Sequence, residues 1–234
     1  MRPPYLLRRY AFAWAFLGVF VAAQIGYALL SPQAQGTVTT WASTSVANLE
    51  TDPVGCLIFS AVIAGGTAWA WPAIIAAALF PAVRVAGNRR TILVCVAGHV
   101  VGTLVSEGIV AYRVHAGALP ESARHLVDVG PSYIVVAALV LTLLHGWRSG
   151  PLLAVRGVAA LDLALLIFPG DIFSGLSTLV VSAIGHVVAM TTAGLAEVVS
   201  EGVAHANADQ VGDRSGSDAE QKLAEGAAPE RPLG

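Results

Sequence analysis

Asp128-Val-Gly-Pro-Ser-Tyr133 ends a polar loop and opens an apolar run, Ser132 to Leu144, which His145, Trp147 and Arg148 close. At ~1.5 Å per residue, a helix from Ser132 to Arg148 covers roughly 24 Å, short of the ~30 Å hydrocarbon core of a bilayer. Anchored at Trp147-Arg148, such a helix begins below the opposite surface, and the loop before it has to dip inward. Backbone at that depth is tolerated only around a protein-lined, wet cavity. A serine there is either a helix cap or a nucleophile, and His186 tips the balance. It sits about 11 residues, or ~16 Å, into a later apolar run counted from Gly175, at a depth matching Ser132. Ionisable side chains inside membranes are costly and functional by default. A serine and a histidine on touching helices form a nucleophile–base pair.

Composition sets the class. The chain has 234 residues, 56% hydrophobic and 12% charged, with mean hydropathy +0.70. Soluble domains carry about 25% charged residues, so this is an integral membrane protein. A net charge of −2 offers no basic field for nucleic acid. Cys56 and Cys95 both lie in apolar runs and read as packing residues. With no His-Glu-x-x-His, no paired-cysteine spacing and no Gly-rich phosphate loop, neither a metal nor a cofactor is expected.

Working outward, Ala11 to Leu30 is a first crossing behind Arg2, Arg8 and Arg9. It is longer than the ~7–15-residue core of a signal peptide and reads as a retained anchor. Ser31 to Pro53 is polar. Val54 to Ala82 is apolar but broken at Gly65-Gly66 and Pro72, which predicts a half-inserted segment followed by a helix. Thr91 to Tyr112 is the third crossing, Arg113 to Gly130 a loop, and Pro151 to Phe168 the fifth crossing. Pro169-Gly170-Asp171 is the turn leading to the sixth, Phe173 to Val199. Residues 1–200 thus make one membrane domain. Residues 201–234, rich in Ala, Gly, Glu and Asp, are expected to be a disordered tail. Arg2, Arg8, Arg9, Arg84, Arg89, Arg90, Arg148 and Arg156 fall at one set of ends, against Arg113 and Arg124 at the other. The positive-inside rule then makes both termini cytoplasmic in the plasma membrane.

On the third crossing His99, Thr103 and Glu107 share one face at i, i+4, i+8. They are candidates for lining a cavity at the depth of Ser132. Asp128 reads as a loop or cap residue, and Asp162, in the fifth crossing, has no evident partner.

The order and spacing of Ser132 and His186 resemble the rhomboid family of intramembrane serine proteases. There the serine lies in a Gly-x-Ser-Gly motif opening the fourth helix and the histidine lies in the sixth. Gly185-His186-Val-Val-Ala189 with Gly194 resembles the sixth-helix pattern, and Leu57-Ile-Phe-Ser-Ala-Val-Ile63 the approach to the second helix. Arg84-Val-Ala-Gly87 before Thr91-Ile-Leu resembles the junction of the second and third helices. The resemblance implies an all-α bundle of six transmembrane helices. It also implies Ser132 as nucleophile, His186 as general base, and an oxyanion and cavity region around Gly130 and Tyr133. Two positions depart from the pattern. Tyr133 stands where active members carry glycine, and residues 66–75 lack the His-x-x-x-Asn pair that helps bind the oxyanion.

The leading expectation is a protease cleaving transmembrane segments of single-pass or other membrane proteins, with lipid as its surroundings, and two rivals stand beside it. One is an inactive relative that binds client helices. The other is a small transporter relaying protons through His99, Glu107, Asp162 and His186.

Overall fold

The computed structural model describes residues 3–64, 68–149 and 182–200. The expected fifth crossing, the Pro169–Asp171 turn, the start of the sixth crossing, Asp162 and the 201–234 tail lie outside the described residues. The chain divides into two compact units, Met1–Leu195 and Ala196–Gly234. Among the described residues there is no strand.

The elements are α1 (Pro3–Arg9), α2 (Ala11–Ala28), α3 (Pro32–Ala42), α4 (Val46–Thr51), α5 (Pro53–Ser60), α6 (Trp71–His115), α7 (Ser132–Ser149) and α8 (Ser182–Ser200). Short 3-10 turns lie at Ala68–Ala70 and Glu121–His125. Helices α2, α6 and α8 are long and apolar enough to cross a membrane, and α7 through His145 is a shorter apolar helix. The described residues are those of a helical membrane protein.

The stretch from Ser31 to Pro53, read from sequence as a polar connection, holds two helices. Its capping signals explain them. Ser31 accepts from the Ala34 N–H (3.3 Å) with Pro32 in the first turn of α3. Ser45 accepts from the Asn48 N–H (3.4 Å) at α4, and Asp52 from the Gly55 N–H (2.9 Å) with Pro53 opening α5. Each side-chain oxygen satisfies a donor that a helix start leaves orphaned. Asn48 closes the α3–α4 corner by donating to the carbonyls of Thr40 (2.7 Å) and Ser43 (2.8 Å).

The broken helix expected around Gly65 and Pro72 takes the form of α5 ending at Ser60 and α6 starting at Trp71. Helix α6 has 45 residues, which at ~1.5 Å each is about 68 Å, more than twice a bilayer core. Gly87 resolves the conflict. Its φ of 78° and ψ of 164° break α6 into arms 71–86 and 88–115, at the junction the sequence marked. That region of backbone space is essentially open only to glycine.

Helix α7 is the central element. Tyr133 through Leu139 are buried without interruption, as expected of a helix that is apolar all round. Close approach among α6, α7 and α8 is set by small residues. A methyl on Gly98 would come within 2.8 Å of Ala137 Cβ, and one on Gly102 within 2.9 Å of the Gly185 carbonyl. Glycine at these contacts lets backbones approach without lipid-facing gaps.

Gly87→Ala is expected to lower stability by ~1–3 kcal/mol because of its backbone conformation. Gly108→Ala, in open space inside the second arm, is expected to raise it by ~0.5–1 kcal/mol. Unfolding midpoints of the purified protein in detergent check both.

Candidate functional site

The loop entering α7 is tied down before the helix starts. Gly130 has φ 133°, again a glycine conformation, and its N–H donates to the Ser60 carbonyl at 2.7 Å. Pro131 has no N–H to give, and its carbonyl accepts from Val135 at 2.9 Å. Ser132 is therefore the first helical residue, half-buried, on a helix whose opening donors are those of its own first turn. Gly130, expected among the oxyanion-region residues, has its N–H engaged by Ser60.

Tyr133, one residue on, is 3% exposed. Its hydroxyl donates to Asp128 Oδ2 at 2.8 Å. Its ring meets His186 edge-on, with centroids 5.1 Å apart at 84°, and lies 6.1 Å from the His99 ring. The ring lies against two backbones. A methyl on Gly185 would collide with the Tyr133 hydroxyl end, and one on Gly102 would sit 3.5 Å from its Cδ2. Alanine at position 185 would displace the tyrosine, so glycine at 185 and tyrosine at 133 are matched.

His186 is 1% exposed within α8. From α7 the Tyr133 ring reaches it. His99 is held on the other side. Its Nε2–H donates to the Leu57 carbonyl at 2.8 Å and lies 3.4 Å from the Ser60 hydroxyl, which itself donates to the same carbonyl. A carbonyl only accepts, so the proton sits on Nε2. His99 thus pins the end of α5 to the second arm of α6. Thr103 and Glu107 continue the same face and are fully or almost fully buried. Glu107 lies beside Asp128 and the Val46 backbone. The i, i+4, i+8 stripe therefore points inward along its whole length.

Asp128 is more than a loop or cap residue. Its backbone N–H donates to the Ser43 hydroxyl at 2.8 Å, and its carbonyl accepts from both the N–H (3.0 Å) and the hydroxyl (3.1 Å) of Thr44. It joins the α3–α4 corner to the mouth of α7 and orients Tyr133. Ser43, Thr44 and Ser60 escaped the sequence reading. Their only signal is a run of small hydroxyl residues, which is common in loops. Asp128 and Tyr133 are five apart across a glycine and a proline, a spacing no helical or strand periodicity marks. Among the described residues no cluster of three or more His, Cys, Asp or Glu is arranged to hold a metal.

A family model described as rhomboid-like protein matches residues 5–197. The chain belongs to the rhomboid-like protein family. No curated protein and no solved structure matches it.

Tyr133→Phe is expected to destabilise this rhomboid-like protein by ~0.5–1.5 kcal/mol, because one hydrogen bond to Asp128 is lost while Thr44 still donates to the same oxygen. Gly185→Ala should cost ~1–3 kcal/mol through overpacking. Combining Gly185→Ala with Tyr133→Ala should cost less than the sum, since removing the ring removes the collision. Detergent unfolding of the four variants checks the coupling.

Proposed function

We propose that this rhomboid-like membrane protein binds transmembrane helices of other proteins without cleaving them. One observation carries the reading. The Tyr133 ring fills the space between α7, Gly102 and Gly185 and packs on His186, where glycine after the serine would leave room for a substrate backbone. The Gly130 N–H bonded to Ser60, and the absence of a His-x-x-x-Asn pair over 66–75, weaken oxyanion stabilisation in the same direction. Losing one such donor lowers kcat by ~10²–10³ in serine hydrolases.

A side entrance supports client binding. A cavity of about 500 Å³ opens between α2, the start of α3 and the first turn of α6. Its walls include Val21, Gln24, Tyr27, Gln35, Trp69 and Pro72. Trp69 is 83% exposed at its edge. An apolar wall with a few amides suits a transmembrane segment carrying one or two polar residues. The fold around it is a six-crossing bundle with both termini cytoplasmic in the plasma membrane, residues 1–200 forming the membrane domain and 201–234 a tail. The arginine asymmetry supports that orientation.

A second reading keeps Ser132 as nucleophile and His186 as base, cleaving client segments near the outer face. The edge-on Tyr133 contact favours it in one respect, because it holds the His186 ring in a fixed orientation.

Full-length protein in membranes is expected not to react with a fluorophosphonate over long exposure. A photo-crosslinking residue at Trp69 should capture single-pass clients, and Ser132→Ala should leave that capture unchanged. Labelling that maps to Ser132 and disappears in Ser132→Ala and His186→Ala would replace the binding reading with the protease.

A further inference from the structure

The bases of residues 1–200 are ten arginines, and the single lysine of the chain is Lys222. Acids are segregated from most of them. No Asp or Glu occurs in residues 1–49 or 53–106. At the end of the molecule where α1 meets the Gly87 break, two arginine pairs from distant parts of the sequence converge through one side chain. Asn88 Nδ2 donates to the carbonyls of Arg9 (2.9 Å) and Arg8 (3.3 Å), and its Oδ1 accepts from the Phe12 N–H (3.0 Å). Helix α2 has no side-chain cap of its own, so Asn88 caps it from across the fold. Arg89 is the next residue, and Arg84 lies four positions earlier on the first arm, across the Gly87 break. All four, Arg8, Arg9, Arg84 and Arg89, are exposed. None forms an ion pair among the described residues.

The surroundings set the depth of this cluster. Tyr10 and Trp14 pack on Phe80 with centroids 5.5 and 4.8 Å apart. Aromatic groups of this kind sit at the headgroup level of membranes. Leu6 and Leu7 are exposed beside the arginines, 38% and 59%. Apolar side chains next to basic ones are the composition of a segment lying in the interface. Guanidinium forks match phosphate oxygens in a way that point-charge lysines do not.

We propose that Arg8, Arg9, Arg84 and Arg89, aligned by Asn88, form a site for the phosphate headgroup of an anionic phospholipid. The site is separate from the Tyr133–His186 region and holds whichever function that region performs. Asn88 is its positioning residue.

The test uses the full-length protein in neutral detergent, titrated with phosphatidylglycerol or with phosphatidylcholine of the same acyl chains. Lipid retention is read by native mass spectrometry and stability by thermal unfolding. Phosphatidylglycerol should bind and raise the unfolding midpoint, and phosphatidylcholine should not. At about 1 kcal/mol per arginine near an anionic surface, removing two weakens binding roughly thirtyfold. That loss is expected for Arg8→Gln with Arg9→Gln, and for Arg84→Gln with Arg89→Gln. Arg113→Gln, at the other end, should bind as the unaltered chain does. Asn88→Ala keeps every charge, and should still reduce the preference for phosphatidylglycerol over phosphatidylcholine. The proposal is overturned if both lipids bind alike, if the arginine pairs make no difference, or if inorganic phosphate alone gives the same stabilisation. It is also overturned if phosphatidylglycerol binds only after the acids of residues 201–234 are changed to Asn and Gln, because the tail would then be the occupant.

Discussion

Tyr133 is the side chain on which the centre of this molecule depends. Its hydroxyl is anchored by Asp128, its ring lies on the backbones of Gly102 and Gly185, and its edge meets His186. Those contacts reach α6, α7 and α8 at once. The tyrosine is tolerated there because both facing positions are glycine, and the glycines would leave a void without the tyrosine. Packing inside proteins approaches crystal density, so such a pair behaves as one unit. The buried hydroxyl also demands a partner, which explains why Asp128 is held so firmly by Ser43 and Thr44.

A division of labour follows between the two ends of the bundle. At one end, capped short helices, the Asp128 hub and the Arg124–Glu50 ion pair tie the connecting segments together. That ion pair lies at the surface, with Glu50 exposed and Arg124 half-buried, and contributes little to stability; its value is in fixing the Glu121–His125 turn against α4. At the other end, helices meet through the Gly87 break, an aromatic cluster and Asn88. Between them, His99 bonded to Leu57 keeps α5 docked on the second arm of α6. His99 and His186 therefore flank the Tyr133 ring, and His99 also bonds α5.

Much of this was legible in the sequence, for reasons that are physical. Apolar run lengths measure a bilayer directly, which is why Ala11 to Leu30 and the short run from Ser132 could be read. The junction at Gly87, after Arg84 and before Thr91, was legible only through its resemblance to the rhomboid pattern; the backbone break there is what the structure adds. The inward stripe of His99, Thr103 and Glu107 followed from helical period alone. The α3 and α4 helices were missed although Ser31-Pro32, Ser45 and Asp52-Pro53 all signal helix starts; the polar composition between them masked the caps. Asp128 was undervalued because its partners, Ser43 and Thr44, lie more than 80 positions away. The role of Tyr133 depended on glycines in two other helices, and no local pattern carries that information.

The bond between Asn88 and the Phe12 N–H spans 76 positions of sequence. A ribosome adding ~5–20 residues per second needs roughly 4–15 s to make that distance. For that interval the first helix has emerged without the group that finishes it. Its opening turn must be satisfied by water or lipid carbonyls at the membrane surface. It becomes complete only when the chain has been made as far as the residue after the Gly87 break. The order of synthesis therefore leaves the amino-terminal end, the first part to be made, waiting for a residue 76 positions later before it is fixed.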